Sequence, residues 1–456
     1  MTVIAIASGA IAFSSTPANG QDLLDLLDRA LPGKSSKIIK PKANSQPTRG
    51  PDDAEPFAFN TADGWTLVVH RYSRPADVKP RAGEPPILLC HGLGYNAMFW
   101  DLNQSVSLAR ELASRGYDVW AVSLRGSGLS RKWVFRIDQV PEVLLGSALR
   151  RLTKGKMAAT GYSTIDPKYA DWTLDDHIQY DVPAAVAFVR KRTGAERVVW
   201  IGHSMGGMIA LCHLGLKPNP GIDRLVVIGS QVTMSRGHVL LEYLKESLSI
   251  RERLTRGLRR PEESLKLVKS SADDLFFNQR NVSPEVYRAL TGYAKESSSL
   301  GVLKQYLHLA NKGSLADASG KRTYVQTIEN VDVPILIMSG AADQLAPPQT
   351  QYDLFDRVGS SDKTLILLGR EHGLSVDYGH NDAIVGLSSA QEVYPLIERW
   401  LQGDRFDDDR ALKLGRKRRK SEAPIPSARG SEADPALPLP LPRPFRPRNP
   451  EPPRLP

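Results

Sequence analysis

The sequence predicts an α/β fold, a mostly parallel sheet with helices on both faces. Three observations carry that prediction. Apolar runs of strand length recur along the chain, and segments with helical periodicity separate several of them. One run passes through Gly202-His203-Ser204-Met205-Gly206-Gly207 straight into a helical pattern.

From the N-terminus, Val3 to Phe13 is an apolar run of the length of a signal-peptide core, with small residues near Ala18. No Lys or Arg precedes it, so a cytoplasmic and an exported location both stay open. Asp22 to Leu31 suits a short amphipathic helix, and Lys34 to Pro56, rich in Lys, Pro and Ser, reads as a linker. Residues 1–56 are therefore expected to form an N-terminal arm. A hairpin follows, Phe57 to Thr61 and Trp65 to Tyr72, because Asp63-Gly64 supplies the positive φ of a tight turn.

The expected buried strands are Ile87 to Cys90, Val119 to Leu124, Val198 to Gly202, Leu225 to Gly229, Ile335 to Ser339 and Leu365 to Leu368. Helical periodicity marks Ser107 to Ser114, Asp175 to Arg192, Met205 to Leu216 and Ala390 to Leu401. Two segments break the alternation. Arg131 to Tyr169 is basic and irregular, and Gln231 to Val331 carries amphipathic patterns such as Val239 to Leu248 and Leu300 to Leu309. The second segment is inserted between strands, at the sheet edge where a cap over a site is built. The core is thus expected at 57–230 and 332–403, with a helical cap at 231–331 and a disordered basic, Pro-rich tail at 404–456.

Composition sets limits on function. The 456 residues, 41% hydrophobic and 24% charged, exclude a wholly disordered or membrane-embedded chain. The net charge is +10, but the tail from Asp404 holds thirteen Lys or Arg against eight Asp or Glu, half of the excess. The body is only mildly basic and carries no zinc-finger, basic-heptad or RNP-like pattern, so no nucleic acid is expected on it. The run Arg416 to Lys420 would suit anionic lipid at a membrane surface, nucleic acid or an import receptor, although such runs are commonly just solvated, and no tail partner is specified. Cys90 and Cys212 both lie in apolar contexts and read as buried inert thiols. Two cysteines make neither a disulfide framework nor a metal site.

A serine hydroxyl is a weak nucleophile until it is presented on a tight strand-to-helix turn. Ser204 has that setting, with Gly202 and Gly206 two residues before and after it to let the backbone fold without clashes. The helix start behind it adds N–H groups and positive potential. His91-Gly92-Leu93-Gly94 follows the strand Ile87 to Cys90, and Gly92 lets the backbone approach a substrate. The N–H groups of Leu93 and Met205 are the expected oxyanion donors, each such donor being worth about 3 to 4 kcal/mol of barrier. His91 reads as structural. An acid and a histidine should follow the serine along the chain. Asp343, after the strand Ile335 to Ser339, is the acid, placed to hold an imidazole in the tautomer that accepts the serine proton. His372 and His380 both follow the last strand, and periodicity does not separate them.

The span from Phe57 to Leu401 resembles the α/β-hydrolase family and, within it, the acid lipases and their bacterial relatives. The similar stretches are Thr61-Ala62-Asp63-Gly64, His91-Gly92-Leu93, Gly116-Tyr117-Asp118-Val119-Trp120, Arg125-Gly126, Ser130-Arg131-Lys132, and Trp172 with Tyr180-Asp181-Val182-Pro183-Ala184. His380, Asp382 and Gly386, leading into Gln391-Glu392-Val393-Tyr394, are similar to the segment that carries that family's catalytic histidine. The resemblance implies the α/β-hydrolase fold with a helical cap insertion and His380 as base, with His372 as its rival. It also implies a lipid-like or bulky ester as substrate. Met205 stands where many acid lipases carry Gln, and the long tail is a further departure. The chemistry expected is ester hydrolysis through an acyl-enzyme on Ser204, with neither cofactor nor metal. Acyl transfer or a peroxidase-like reaction would use the same residues. A non-catalytic scaffold, whose relatives usually lose one of the three, is the reading from a different class.

Overall fold

The computed structural model describes residues 3–7, 10–14, 54–130, 171–217, 221–235, 238, 240, 244, 275–296 and 298–406. The expected helix at 22–31, the segment Arg131 to Tyr169, most of the helix expected at Val239 to Leu248 and the tail from residue 407 lie outside them. The chain divides into two compact units, Met1–Asp52 and Asp53–Pro456. In the first, β1 (Val3–Ala7) pairs antiparallel with β2 (Ala10–Ser14), Ile4 opposite Phe13. The apolar N-terminal run thus takes a hairpin form.

The second unit is built on an eight-stranded sheet. Its opening hairpin is β3 (Ala54–Asn60) with β4 (Thr66–Tyr72), and Gly64 between them has φ +85°. The strand begins three residues before the expected boundary and includes Pro56. A proline is tolerated there because β3 is the last strand at one edge of the sheet, where one face of the ladder needs no N–H. The other strands are β5 (Ile87–Cys90), β6 (Val119–Ser123), β7 (Val198–His203), β8 (Ile222–Ile228), β9 (Ile335–Gly340) and β10 (Lys363–Leu368). Their spatial order is β10-β9-β8-β7-β5-β6-β4-β3, with β4 antiparallel to both of its neighbours, β6 and β3, and the other adjacent pairs parallel.

Side chains alternate across this sheet into two apolar layers. Leu88, Cys90, Trp200, Val227 and Ile337 pack with the helices Val182–Thr193 and Met205–Leu216. Leu89, Ile201, Ile228 and Met338 pack with Leu108–Ser114 and Tyr394–Leu401 on the other face. Because both faces are covered, the strands read as continuous apolar runs rather than alternating ones.

Two expected helices differ in detail, both through proline. The helix expected at Asp175 to Arg192 starts at Leu174, after Thr173, whose side chain forms a reciprocal cap with Asp176, and then makes a wide turn at His177–Asp181 before Val182–Thr193. Pro183 has no N–H for the preceding turn. The Ile178 carbonyl inside that turn instead accepts from His213 Nδ1 at 2.8 Å. The helix expected at Ala390 to Leu401 is two pieces, Ser389–Glu392 and Tyr394–Leu401, because Pro395 cannot bond back across the junction. From the long insertion, Pro284–Ala289 and Leu300–Lys312 are helical, and Leu300–Lys312 packs on the core through Val302, Tyr306 and Leu309. Among the described residues no helix is long and apolar enough to cross a membrane.

Candidate active site

Ser204 stands between the end of β7 and the helix Met205–Leu216, with φ 50° and ψ −119°. A non-glycine residue adopts this conformation only when its surroundings hold it there. Packing supplies the constraint. A Cβ on Gly202 would lie 2.4 Å from the Gly206 carbonyl carbon, and one on Gly206 would lie 2.3 Å from the Cys90 oxygen. The absence of side chains at these two positions lets the turn close on itself and on the end of β5. The Ser204 N–H donates to Ile228 O at 2.8 Å, and its carbonyl accepts from the Ser230 hydroxyl at 2.8 Å. Ser204 is thereby tied to the end of β8.

His380 lies between Ser204 and Asp343. Its Nε2 is 2.9 Å from Ser204 Oγ and its Nδ1 is 2.8 Å from Asp343 Oδ2. The other Asp343 oxygen accepts from the N–H groups of Leu345 and Ala346, both at 2.8 Å, so the carboxylate is oriented from two sides. Gly229 has φ +58°, and a Cβ there would stand 3.1 Å from both Asp343 Oδ2 and His380 Nδ1. The acid and the imidazole meet in the space that the missing side chain leaves. His380 and Asp343 are buried, while Ser204 is partly exposed.

His372 is placed elsewhere. It ends the short turn Arg370–His372 and lines a small apolar hollow with Ile366, Leu367, Leu374, Leu396 and Phe406. Of the two histidines after the last strand, only His380 reaches Ser204.

The loop after β5 lies against the serine turn. A Cβ on Gly92 would be 3.0 Å from Ser204 Cβ, so the backbone leading to Leu93 passes at contact distance. Met205 heads the helix immediately behind Ser204. His91 holds this loop from below. Its Nε2 accepts from Leu124 N–H at 3.1 Å, which leaves Nδ1–H to donate to Gly92 O at 2.9 Å. Burial lowers its pKa to about 4, so it is neutral at ordinary pH.

His203 was not singled out by its sequence position. It donates from Nε2 to the His380 carbonyl at 3.0 Å and stacks on Phe99 at 4.7 Å. Burial and the neighbouring His380 keep its pKa well below the usual value, and it adds no charge beside His380. Other residues that sequence reasoning missed hold the loops. Asn381 donates to the Tyr95 hydroxyl at 2.9 Å, which ties the His380 loop to the loop after β5. Glu296 accepts from Asn96 Nδ2 at 2.9 Å and Gly128 N–H at 3.0 Å. Apart from His203, which ends β7, these sit at loops or element ends, where no period marks them.

The stretches ahead of the serine that resemble the acid lipases have a structural use. Arg125, buried, bonds to Asp181 at 2.7 Å and to Asp63 at 3.0 Å, its guanidinium 5.3 Å from the Trp65 ring. His177 joins at Asp181 Oδ2, 2.7 Å away. This buried cluster ties the opening hairpin to the helix before β7. Both cysteines are free and buried, and burial pushes their thiols up. Among the described residues no group of three or more His, Cys, Asp or Glu side chains is arranged to hold a metal ion.

Eight strands in this order, with a serine on the turn after β7, an acid after β9 and a histidine after β10, define an α/β hydrolase. The alpha/beta hydrolase fold family matches residues 85–386, and the chain belongs to that family. Among curated proteins it is similar to lipase member K of Homo sapiens, 25% identical over 76% of this chain and 88% of that protein. It is similar also to the gastric triacylglycerol lipase of Mus musculus, 24% identical over 77% of this chain and 89% of that one. Among solved structures, an esterase from Exiguobacterium antarcticum aligns with a TM-score of 0.48 and 14% identity over 76% of this chain and 98% of that one.

Proposed function

We propose that this protein hydrolyses carboxylic esters, with a lipid-like or bulky hydrophobic acyl group, through an acyl-enzyme on Ser204. The observation that carries this reading is the unbroken hydrogen-bonded chain Ser204 Oγ, His380, Asp343. Ser204 Oγ attacks the ester carbonyl carbon while its proton passes to His380 Nε2. Asp343 holds the Nδ1–H and stabilises the imidazolium. Negative charge on the former carbonyl oxygen is met by the Leu93 and Met205 N–H groups. Collapse expels the alcohol, which takes the proton from His380. Water then attacks the acyl carbon, gives its proton to His380, and Ser204 leaves as the hydroxyl. Side chains and water balance every step.

The hydrophobic acyl preference is supported by relatives that are named as lipases over most of their length. The test combines a p-nitrophenyl ester series of rising acyl length with fluorophosphonate labelling, in wild type and Ser204→Ala. The expected result is stoichiometric labelling at Ser204, lost in Ser204→Ala, with kcat/KM rising from acetyl toward longer chains. Labelling that survives the substitution overturns the nucleophile assignment, and a preference for acetyl overturns the acyl assignment.

A further inference from the structure

Asp382 is fully buried, two residues after His380, and takes no part in the chemistry above. Its carboxylate accepts from three neutral donors: Gly379 N–H at 2.9 Å, Asn278 N–H at 3.0 Å and Asn281 Nδ2 at 2.8 Å. Desolvation raises its pKa, while the same donors pull it down. A buried carboxylate held by neutral donors is costly to keep unless its geometry serves something.

The geometry encloses His380. Gly379, immediately before it, is held by Asp382, and a Cβ there would lie 2.6 Å from Asp382 Oδ1 and 2.7 Å from Asn278 N. Asn381, immediately after it, donates its N–H to Phe276 O at 2.9 Å. Asn278 Nδ2 and Asn281 Nδ2 also donate to the Asp377 carbonyl, at 2.8 and 3.1 Å, and Leu387 N–H donates to Asn281 O at 2.6 Å. The loop carrying His380 is thus stitched on both sides to residues 276–281, which lie within the long insertion after β8. Asp382 is the point where the turn and residues 278–281 share one acceptor.

We propose that Asp382 is a positioning residue: it fixes the Gly379-to-Asp382 turn against Asn278 and Asn281 so that His380 Nε2 stays aligned with Ser204 Oγ. The proposal rests on His380 being the base. Asp382→Asn preserves size but turns one acceptor into a donor facing N–H groups, which breaks a clamp contact. Asn281→Ala removes the contacts from the other side and leaves Asp382 intact. Both variants are normalised by counting active sites with a fluorophosphonate, so that loss of folded molecules is separated from loss of rate.

For Asp382→Asn the expected result is a fall in kcat per labelled site of about tenfold to a hundredfold on a soluble p-nitrophenyl ester, the size of effect a small misplacement produces. KM should stay within about threefold, and the fluorophosphonate reaction should slow by a factor similar to kcat. Asn281→Ala should shift kcat in the same direction by about threefold or more. A purely structural part would lower the number of labelled sites and leave the rate per site alone. Rates per site within about twofold of wild type in both variants, or a loss confined to KM, overturn the proposal. If Asp382→Asn yields no folded protein, Asn281→Ala decides. Failure of the His380 assignment shows separately, as a His380→Ala variant that keeps wild-type kcat.

Discussion

The hydroxyl of Ser230 donates to the carbonyl of Ser204 at 2.8 Å, across the gap between the ends of β8 and β7. The same carbonyl accepts from Gly207 and Met208 N–H groups at 3.1 Å each, so the first turn of the helix and the neighbouring strand share it. Ser230→Ala removes one of the bonds that hold the positive-φ conformation of Ser204. Unfolding free energy should fall by about 1 kcal/mol in urea titration. Labelling should remain at Ser204 with a reduced rate, because the other two bonds persist.

His380→Ala should lower kcat by about four orders of magnitude or more, as loss of a base does in other serine hydrolases. His372→Ala should leave it within about twofold, since that ring lines a separate hollow. Steady-state kinetics on both variants checks the pair, and the opposite ranking would sink the assignment of the base.

Gly229→Ala puts a methyl group 3.1 Å from both Asp343 Oδ2 and His380 Nδ1, on a residue with φ +58°. The methyl must displace one partner of the acid–imidazole bond. We expect kcat to drop about a hundredfold with KM little changed. The backbone conformation adds a stability loss of about 1 kcal/mol. A variant with unchanged kcat would show that the pair tolerates separation.

Burial lowers the pKa of His70, His91 and His213 from 6.5 to about 4, and holds that of His203 well below its usual value. Between pH 6.5 and 4 the unfolded chain binds protons at these positions and the folded chain does not. Stability therefore rises with pH in this window and is lost on acidification, by about 1 kcal/mol per histidine for each pH unit. Asp101, raised by burial to about 6, acts in the opposite sense from about pH 6 down to about pH 4 and offsets roughly one histidine there. Tm measured by calorimetry should fall from pH 6.5 to 4.5. A flat profile would contradict it.

Much of the architecture was legible in the sequence because burial on both faces leaves a plain apolar signature. Ile87 to Cys90 and Met205 to Leu216 matched to the residue, and Asp63-Gly64 made the turn it promised. What periodicity did not carry was the effect of single prolines within otherwise regular patterns, at Pro183 and Pro395, and the tolerance of Pro56 on an edge. For the candidate site, a glycine-flanked serine after a strand and an aspartate after another are local signals. The choice of His380 over His372 came from resemblance, since both follow the same strand within a dozen residues. Ser230, Gly229, Asn278, Asn281 and Tyr95 were not legible at all. Each acts through one or a few bonds, or one missing atom, across a large sequence separation, which no local pattern encodes. The Arg125, Asp63 and Asp181 cluster left only a faint trace, charged residues beside apolar strand ends.

Both thiols of this protein, Cys90 and Cys212, are sealed in the apolar layer beneath the helix that Ser204 begins. Cys90 ends the strand whose carbonyl abuts Gly206, and Cys212 sits inside the helix itself. A maleimide or disulfide reagent therefore has nothing to react with until that layer opens, and the rate of thiol capture becomes a clock for opening at the serine. Held against the rate of esterase inactivation on heating, that clock shows whether the turn is lost with the whole sheet or ahead of it.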